Sequence, residues 1–307
     1  MSIANKMIVG SGKYKYELVR PWPNIPKYWV LGECTDSAVN SKGEIHIFSR
    51  GTHPLTIWDV SGNFISSWGA GLISFAHAIY LDQDDNVWLV ARNKHQIFKF
   101  TTEGKLLMTI GEEGFRSDTG VASDDYSSTT WSSVTHSGGP FNMQAGIAVN
   151  NDGEIFIADG YANARVHKFT SSGEHIMSWG DPGSDDGQFN LPHGVWIDKQ
   201  GHVLVSDREN DRIQVFTQDG EHIKTWPTKL IGPALMYIDE DDIVYIPEHN
   251  GGMVSVLNHD GERLAQWGEE RYRSCHGIWV DSHKDVYVVT PGDWGKGRRV
   301  VKYSLTS

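Results

Sequence analysis

A unit of roughly 40 residues recurs along this chain, and a period of that size is the one found in propeller blades. Each copy opens with an apolar run that reaches an Asx/Gly turn, as in Gly146-Ile147-Ala148-Val149-Asn150-Asn151-Asp152-Gly153 and Gly194-Val195-Trp196-Ile197-Asp198-Lys199-Gln200-Gly201. A second strand, a loop and a third strand follow, and the copy closes on a strand ending in Trp, as at Trp179 and Trp226. Short β-branched and aromatic runs separated by Asn, Asp and Gly are antiparallel strands joined by tight turns. Opening strands begin near residues 35, 77, 145, 193, 234 and 276, so the expected fold is all-β, a six-bladed β-propeller.

The sixth unit has only three strands before Ser307. Its fourth is expected from Lys15 to Trp22, because Arg20-Pro21-Trp22-Pro23 echoes Lys224-Thr225-Trp226-Pro227 at the end of the fourth unit. An N-terminal strand that completes the last blade closes the ring and removes an exposed sheet edge. Residues 1–307 are therefore read as a single propeller domain with a long inter-blade loop at about 112–143. The 33 glycines and 12 tryptophans suit many turns and aromatic packing between blades, and Trp68, Trp179, Trp226 and Trp267 form the expected inter-blade column. A net charge of −12 argues against nucleic acid as a partner. No apolar run is long enough for a membrane helix, and Met1 to Gly10 carry no secretory core with a cleavage site, so a cytoplasmic location is expected.

Histidines stand at one register in every second unit: His77, His193 and His276, with Ala145 and Ala234 between them and Thr35 in the first unit. Alternate blades of a six-fold ring lie about a third of a turn apart, so the three imidazoles converge on the axis. Three imidazoles with an open position suit zinc, and neutral imidazoles also suit other divalent transition metals. A lone histidine there reads as a hydrogen-bonded core residue, but packing does not explain three at one register with alanine between.

The loops after the second strands share a rim with these histidines, and they include Arg50, Arg92, Tyr161, Arg208 and His249. Arginines around a metal make a pocket for a small molecule with a carboxylate or carbonyl group. Arg50 and Arg208 compete with a reading as structural salt bridges, Tyr161 with a ring packed over its turn, and Arg92 and His249 are expected on the rim rather than in the site. The long loop, with Phe115, Tyr126, Trp131 and His136, is a candidate lid or substrate wall against a passive insertion. Cys34 and Cys275 are expected as two free, buried thiols, against a redox pair.

Ala158-Asp159-Gly160-Tyr161-Ala162-Asn163-Ala164-Arg165, Gly187-Gln188-Phe189-Asn190-Leu191-Pro192-His193 and Ser206-Asp207-Arg208-Glu209-Asn210-Asp211-Arg212-Ile213-Gln214 carry a resemblance to a known family. They resemble the NHL-repeat propellers and, among them, the peptidyl-α-hydroxyglycine α-amidating lyases. The resemblance implies a six-bladed propeller with catalytic zinc on His77, His193 and His276, a catalytic Tyr161, and active-site Arg50 and Arg208. Gly277 replaces an aspartate that contributes to the family's central calcium site, which weighs against Ca2+ here. The family's disulfides have no counterparts in a chain with Cys34 and Cys275 alone, and a copper monooxygenase domain ahead of the propeller is not expected.

Three functions follow as expectations. The first is a zinc-dependent lyase cleaving a C–N bond of a small carbinolamide, α-hydroxyglycine-like substrate, with Tyr161 taking a proton and Arg50 and Arg208 holding negative charge. The second is a zinc-dependent hydrolase of a lactone, ester or amide on the same three histidines. The third is a non-catalytic NHL binding scaffold.

Overall fold

The structure, a computed structural model, describes residues 6–122, 130–268, 274–292 and 299–306. Six antiparallel sheets follow one another in chain order, and no α-helix occurs among the described residues. The third blade shows the pattern: Gln144–Val149, Ile155–Asp159, Arg165–Phe169 and His175–Trp179 run from the inside of the ring outward, each strand paired with the next. The second strand, Ile155-Phe156-Ile157-Ala158-Asp159, is buried on every residue because neighbouring blades cover both of its faces. This is why it reads as a continuous apolar run and not as an alternating one. The outermost strand, His175–Trp179, opens on two exposed residues and buries its final Trp. Between the first two strands, Asn150 Oδ1 accepts the N–H groups of Asp152 and Glu154, and Gly153 takes φ +81°. That side-chain bond is the reason for Asx at this point of the repeat.

The ring closes through the N-terminus. Tyr14–Val19 pairs antiparallel with Val300–Leu305, Tyr16 opposite Leu305 and Val19 opposite Lys302. The sixth sheet gains a fifth strand that the repeat does not foreshadow, Ile8–Ser11, hairpinned onto Tyr14–Val19. The closing strand is shorter than expected and stops at Val19; Pro21 and Pro23, which have no N–H to give a ladder, lie beyond it. Trp22 is still buried, its ring 4.8 Å from that of Tyr287 and against the turn of the first blade at Gly62. Tyr16, fully buried, stacks at 4.9 Å on Trp267 and so ties the closing strand to the fifth blade.

The Trp column packs between blades. Trp68, Trp179 and Trp226 each lie on the glycine of the last turn of the following blade: Gly104, Gly220 and Gly261. At Gly261, φ is +80° and an added Cβ would stand 2.4 Å from Trp226 Cγ. Gly261→Ala is therefore expected to cost about 1–3 kcal/mol of stability, from αL strain and from displacing the indole, as read by denaturant unfolding.

The fifth blade departs from the pattern. Its innermost strand is only Tyr237–Ile238, because Leu235 gives its N–H to the carbonyl of His276 in the sixth blade and not to its own sheet. Cys34 and Cys275 are both buried thiols outside any disulfide, and burial pushes each up to about 12.

Candidate metal centre and active site

His77, His193 and His276 meet on the axis. Their ring centroids lie 5.0, 4.7 and 4.8 Å apart, each side chain is at most 1% exposed, and one nitrogen from each falls within 4.8 Å of the others. The residues between them orient the rings. His77 Nδ1 lies 2.7 Å from the carbonyl of Ala145, and His276 Nδ1 lies 2.6 Å from that of Thr35. A carbonyl can only accept, so Nδ1 carries the proton and Nε2 keeps its lone pair toward the axis, the tautomer a metal requires. His193 Nδ1 has no such partner, and neither does His276 Nε2 on the axis side. Burial, followed by neighbouring arginines and histidines, holds all three well below the usual imidazole range. They are neutral, lone-pair-bearing donors, and two of them, His193 and His276, each leave a buried nitrogen unsatisfied. A divalent transition metal fits that set.

Sharp turns feed these strands into the axis: Phe75, Met143, Leu191 and Ser274, each two residues before the axial position, take φ of +55°, +64°, +64° and +84°. The carbonyls of Phe75, Met143 and Leu191 accept the N–H groups of Arg92, Tyr161 and Arg208, and those of Glu33 and Gly232 accept from Arg50 and His249. Five blades thus place one residue each at an equivalent point, Arg50, Arg92, Tyr161, Arg208 and His249, as a second tier above the axial residues. In the sixth blade the counterpart is Pro291, which has no N–H, and Thr290 Oγ1 donates to Ser274 instead.

Tyr161 is the centre of this tier. Its hydroxyl lies 3.1 Å from His77 Nε2 and 3.2 Å from His193 Nε2, and it accepts a bond from Arg208 Nη1 at 3.3 Å. The Arg92 guanidinium stacks 4.3 Å above the phenol ring and 4.2 Å from that of Phe75, whose other neighbour is Arg50 at 4.0 Å. Burial raises the phenol, but the cations of Arg208, Arg92 and Arg50 outweigh it, and the net direction is below the ordinary tyrosine value.

Within this geometry, residues 141–169 and 189–216, covering the first three strands of the third and fourth blades, match the NHL repeat. The chain carries two NHL repeats within its six-bladed propeller. It resembles the amidating lyases: it is 29% identical over 225 residues to peptidyl-glycine alpha-amidating monooxygenase B of Xenopus laevis, covering 62% of this chain and 23% of that protein. It is also 29% identical over 170 residues to peptidyl-alpha-hydroxyglycine alpha-amidating lyase 1 of Drosophila melanogaster, covering 52% of this chain and 28% of that one. The chain therefore spans about a quarter of the length of these relatives. Among solved structures, a gluconolactonase from Xanthomonas campestris superposes with a TM-score of 0.67 over 97% of this chain and 95% of that one, at 11% identity, a likeness of fold alone.

The structure brings all six expected site residues together and adds two, Arg92 and His249, expected on the rim. Arg92 is 8% exposed, and burial pulls its pKa down to about 10. His249 lies 6.0 Å ring-to-ring from His276, has a buried Nδ1 without a partner, and is held by burial at about 4. The salt-bridge reading of the other arginines is met, since Arg50 pairs with Glu33 at 2.9 Å and Arg208 with Glu209 at 2.8 Å, and Arg208 also reaches the Tyr161 hydroxyl. Arg92 has no carboxylate partner among the described residues. Among Arg50, Arg92 and Arg208 it is the one that no carboxylate of the described residues pairs.

The long loop divides. Trp131 and Val121 pack against the cluster of Met143, Ala145, Tyr161 and Leu191, while Phe115 and His136 stand exposed and Tyr126 lies outside the described residues. The loop is tied down by Thr119 Oγ1 to the carbonyl of Ala162 at 2.7 Å and by Ser137 to the fourth-strand end at Gly180. At Gly277, a Cβ would lie 2.4 Å from Asp36 Oδ1, so the first blade's carboxylate occupies the space a side chain there would need. Asp36 accepts the N–H groups of Ser37 and Ile79, and burial raises it well above the carboxylate range.

Proposed function

We propose that this protein is a zinc-dependent lyase that breaks the C–N bond of a small carbinolamide, α-hydroxyglycine-like substrate at His77, His193 and His276. The observation that carries the reading is the Tyr161 hydroxyl, within 3.1–3.2 Å of two axial Nε2 atoms and ringed by arginines. A zinc ion on the three imidazoles would supply Lewis acidity toward a hydroxyl or carbonyl oxygen. Tyr161 takes the hydroxyl proton; as the carbon–oxygen bond becomes a carbonyl the C–N bond breaks, and the nitrogen leaves with a proton returned to it. The products are an amide or amine and a carbonyl compound. Arg50 and Arg208 hold negative charge on the substrate. Similarity to proteins named as amidating lyases supports this chemistry.

Arg92 joins them as the cation best placed to take a substrate carboxylate, because no protein carboxylate competes for it among the described residues. Arg92→Met is expected to raise KM by at least about 10-fold, the scale of a lost charge-assisted bond, with metal content unchanged. Steady-state kinetics beside metal analysis checks this; an unchanged KM removes Arg92 from substrate binding.

The rival is hydrolysis of a lactone, ester or amide at the same histidines. Turnover in isotopically labelled water separates the two. The lyase reading expects no solvent oxygen fixed in an acid product formed by the enzyme; incorporation there makes the protein a hydrolase. Purified protein that neither carries nor takes up metal would support the non-catalytic scaffold.

A further inference from the structure

On the face opposite the axial histidines, the turn after each inner strand carries a polar side chain that caps the turn. In the second, fifth and sixth blades this is an aspartate served by a lysine or an aromatic donor: Asp82 by Lys99 and Trp88, Asp239 by Lys284, and Asp281 by the hydroxyl of Tyr287. The fourth blade differs. Asp198, with a fully buried side chain, is met by two imidazoles: its Oδ2 lies 3.0 Å from His202 Nδ1 and 3.0 Å from His259 Nε2. Its Oδ1 is already used by the backbone N–H of His202. His202 sits just after the same turn, whereas His259 belongs to the last turn of the fifth blade, between Met253–Leu257 and Arg263–Gly268. Three ligand atoms from two blades lie within 4.8 Å of one another.

We propose that Asp198, His202 and His259 form a second divalent-cation site, for zinc or a similar transition metal, that staples the fourth and fifth blades together. Two imidazoles and a carboxylate are a donor set these ions take, with positions left for water. Around a tetrahedral zinc with bonds of about 2.0–2.1 Å, ligand atoms stand roughly 3.3 Å apart, close to the 3.0 Å of both nitrogen–oxygen pairs. Without metal, each ring gives an N–H to the carboxylate; on binding, each ring takes the other tautomer, its proton moving through solvent to the second ring nitrogen, and the freed lone pairs and Asp198 Oδ2 turn to the ion. The His202 and His259 side chains are 35% and 34% exposed, so an ion reaches them from solvent, while the buried carboxylate holds the position. A lysine at this point would satisfy Asp198 but bind nothing.

Chelator-stripped protein loaded with zinc or cobalt, freed of excess ion and assayed for bound metal, tests this. His259→Gln, at an exposed turn and still able to give an N–H to Asp198, is expected to bind one equivalent less than wild type, whether or not the axial site fills. His202→Gln is expected to lose the same equivalent. Zinc added to stripped wild type should raise the thermal midpoint more than it does in either variant. Equal metal content in wild type and His259→Gln, or an equal midpoint rise, overturns the site. His193→Ala provides the separation from the axial centre: it should retain the equivalent that His259→Gln loses.

Discussion

Tyr161→Phe should lower turnover by about 10²–10⁴-fold, the usual contribution of a positioned proton-transfer group, and leave the axial metal in place. The phenylalanine ring keeps the packing against Met143, Leu191 and the Arg92 guanidinium. Only the hydroxyl goes, and with it the contacts to His77 Nε2, His193 Nε2 and Arg208 Nη1. Arg208 retains Glu209, so the loss does not strand a buried cation. The three imidazoles are untouched, and metal analysis of the variant should match wild type. Turnover equal to wild type would reduce Tyr161 to a ring packed over its turn and remove the proton acceptor from the proposed reaction.

His193→Ala is expected to remove about one equivalent of metal and to abolish turnover, since a catalytic zinc site rests on three protein ligands. Among the three axial histidines, this substitution separates metal from fold best. His77 and His276 each bond a neighbouring blade through Nδ1, to Ala145 and Thr35, whereas His193 Nδ1 bonds nothing. Removing His77 or His276 therefore also strips an inter-blade hydrogen bond, at about 1 kcal/mol each. Metal analysis and thermal melts of the three apo variants check the order: equal loss of metal in all, with His193→Ala the least destabilised. Full metal content in His193→Ala would dismantle the axial site and the lyase proposal with it.

Much of this molecule is legible as repetition. The period, the Asx/Gly turns and the terminal tryptophans follow from local chemistry that every blade repeats, and the alternation of His77, His193 and His276 with Ala145 and Ala234 is visible once the units are aligned. The second tier is also periodic: the residue fifteen beyond the axial position is Arg50, Arg92, Arg208, His249 and Pro291, from 35, 77, 193, 234 and 276. Tyr161 falls sixteen beyond Ala145. That offset hides Tyr161 from a simple count, whereas Arg92 and His249 stand at the same step as Arg50 and Arg208.

Sequence alone therefore settles the ring, its closure and the convergence of three imidazoles, because each depends on one unit's pattern and on the symmetry of repeating it. The tautomers of His77 and His276, the stack of Arg92 between Phe75 and Tyr161, the space taken by Asp36 at Gly277 and the meeting of His202 with His259 on Asp198 are decided in three dimensions. All four are contacts between different blades. No local pattern records how far one sheet twists against its neighbour, and that relative placement determines which atoms meet.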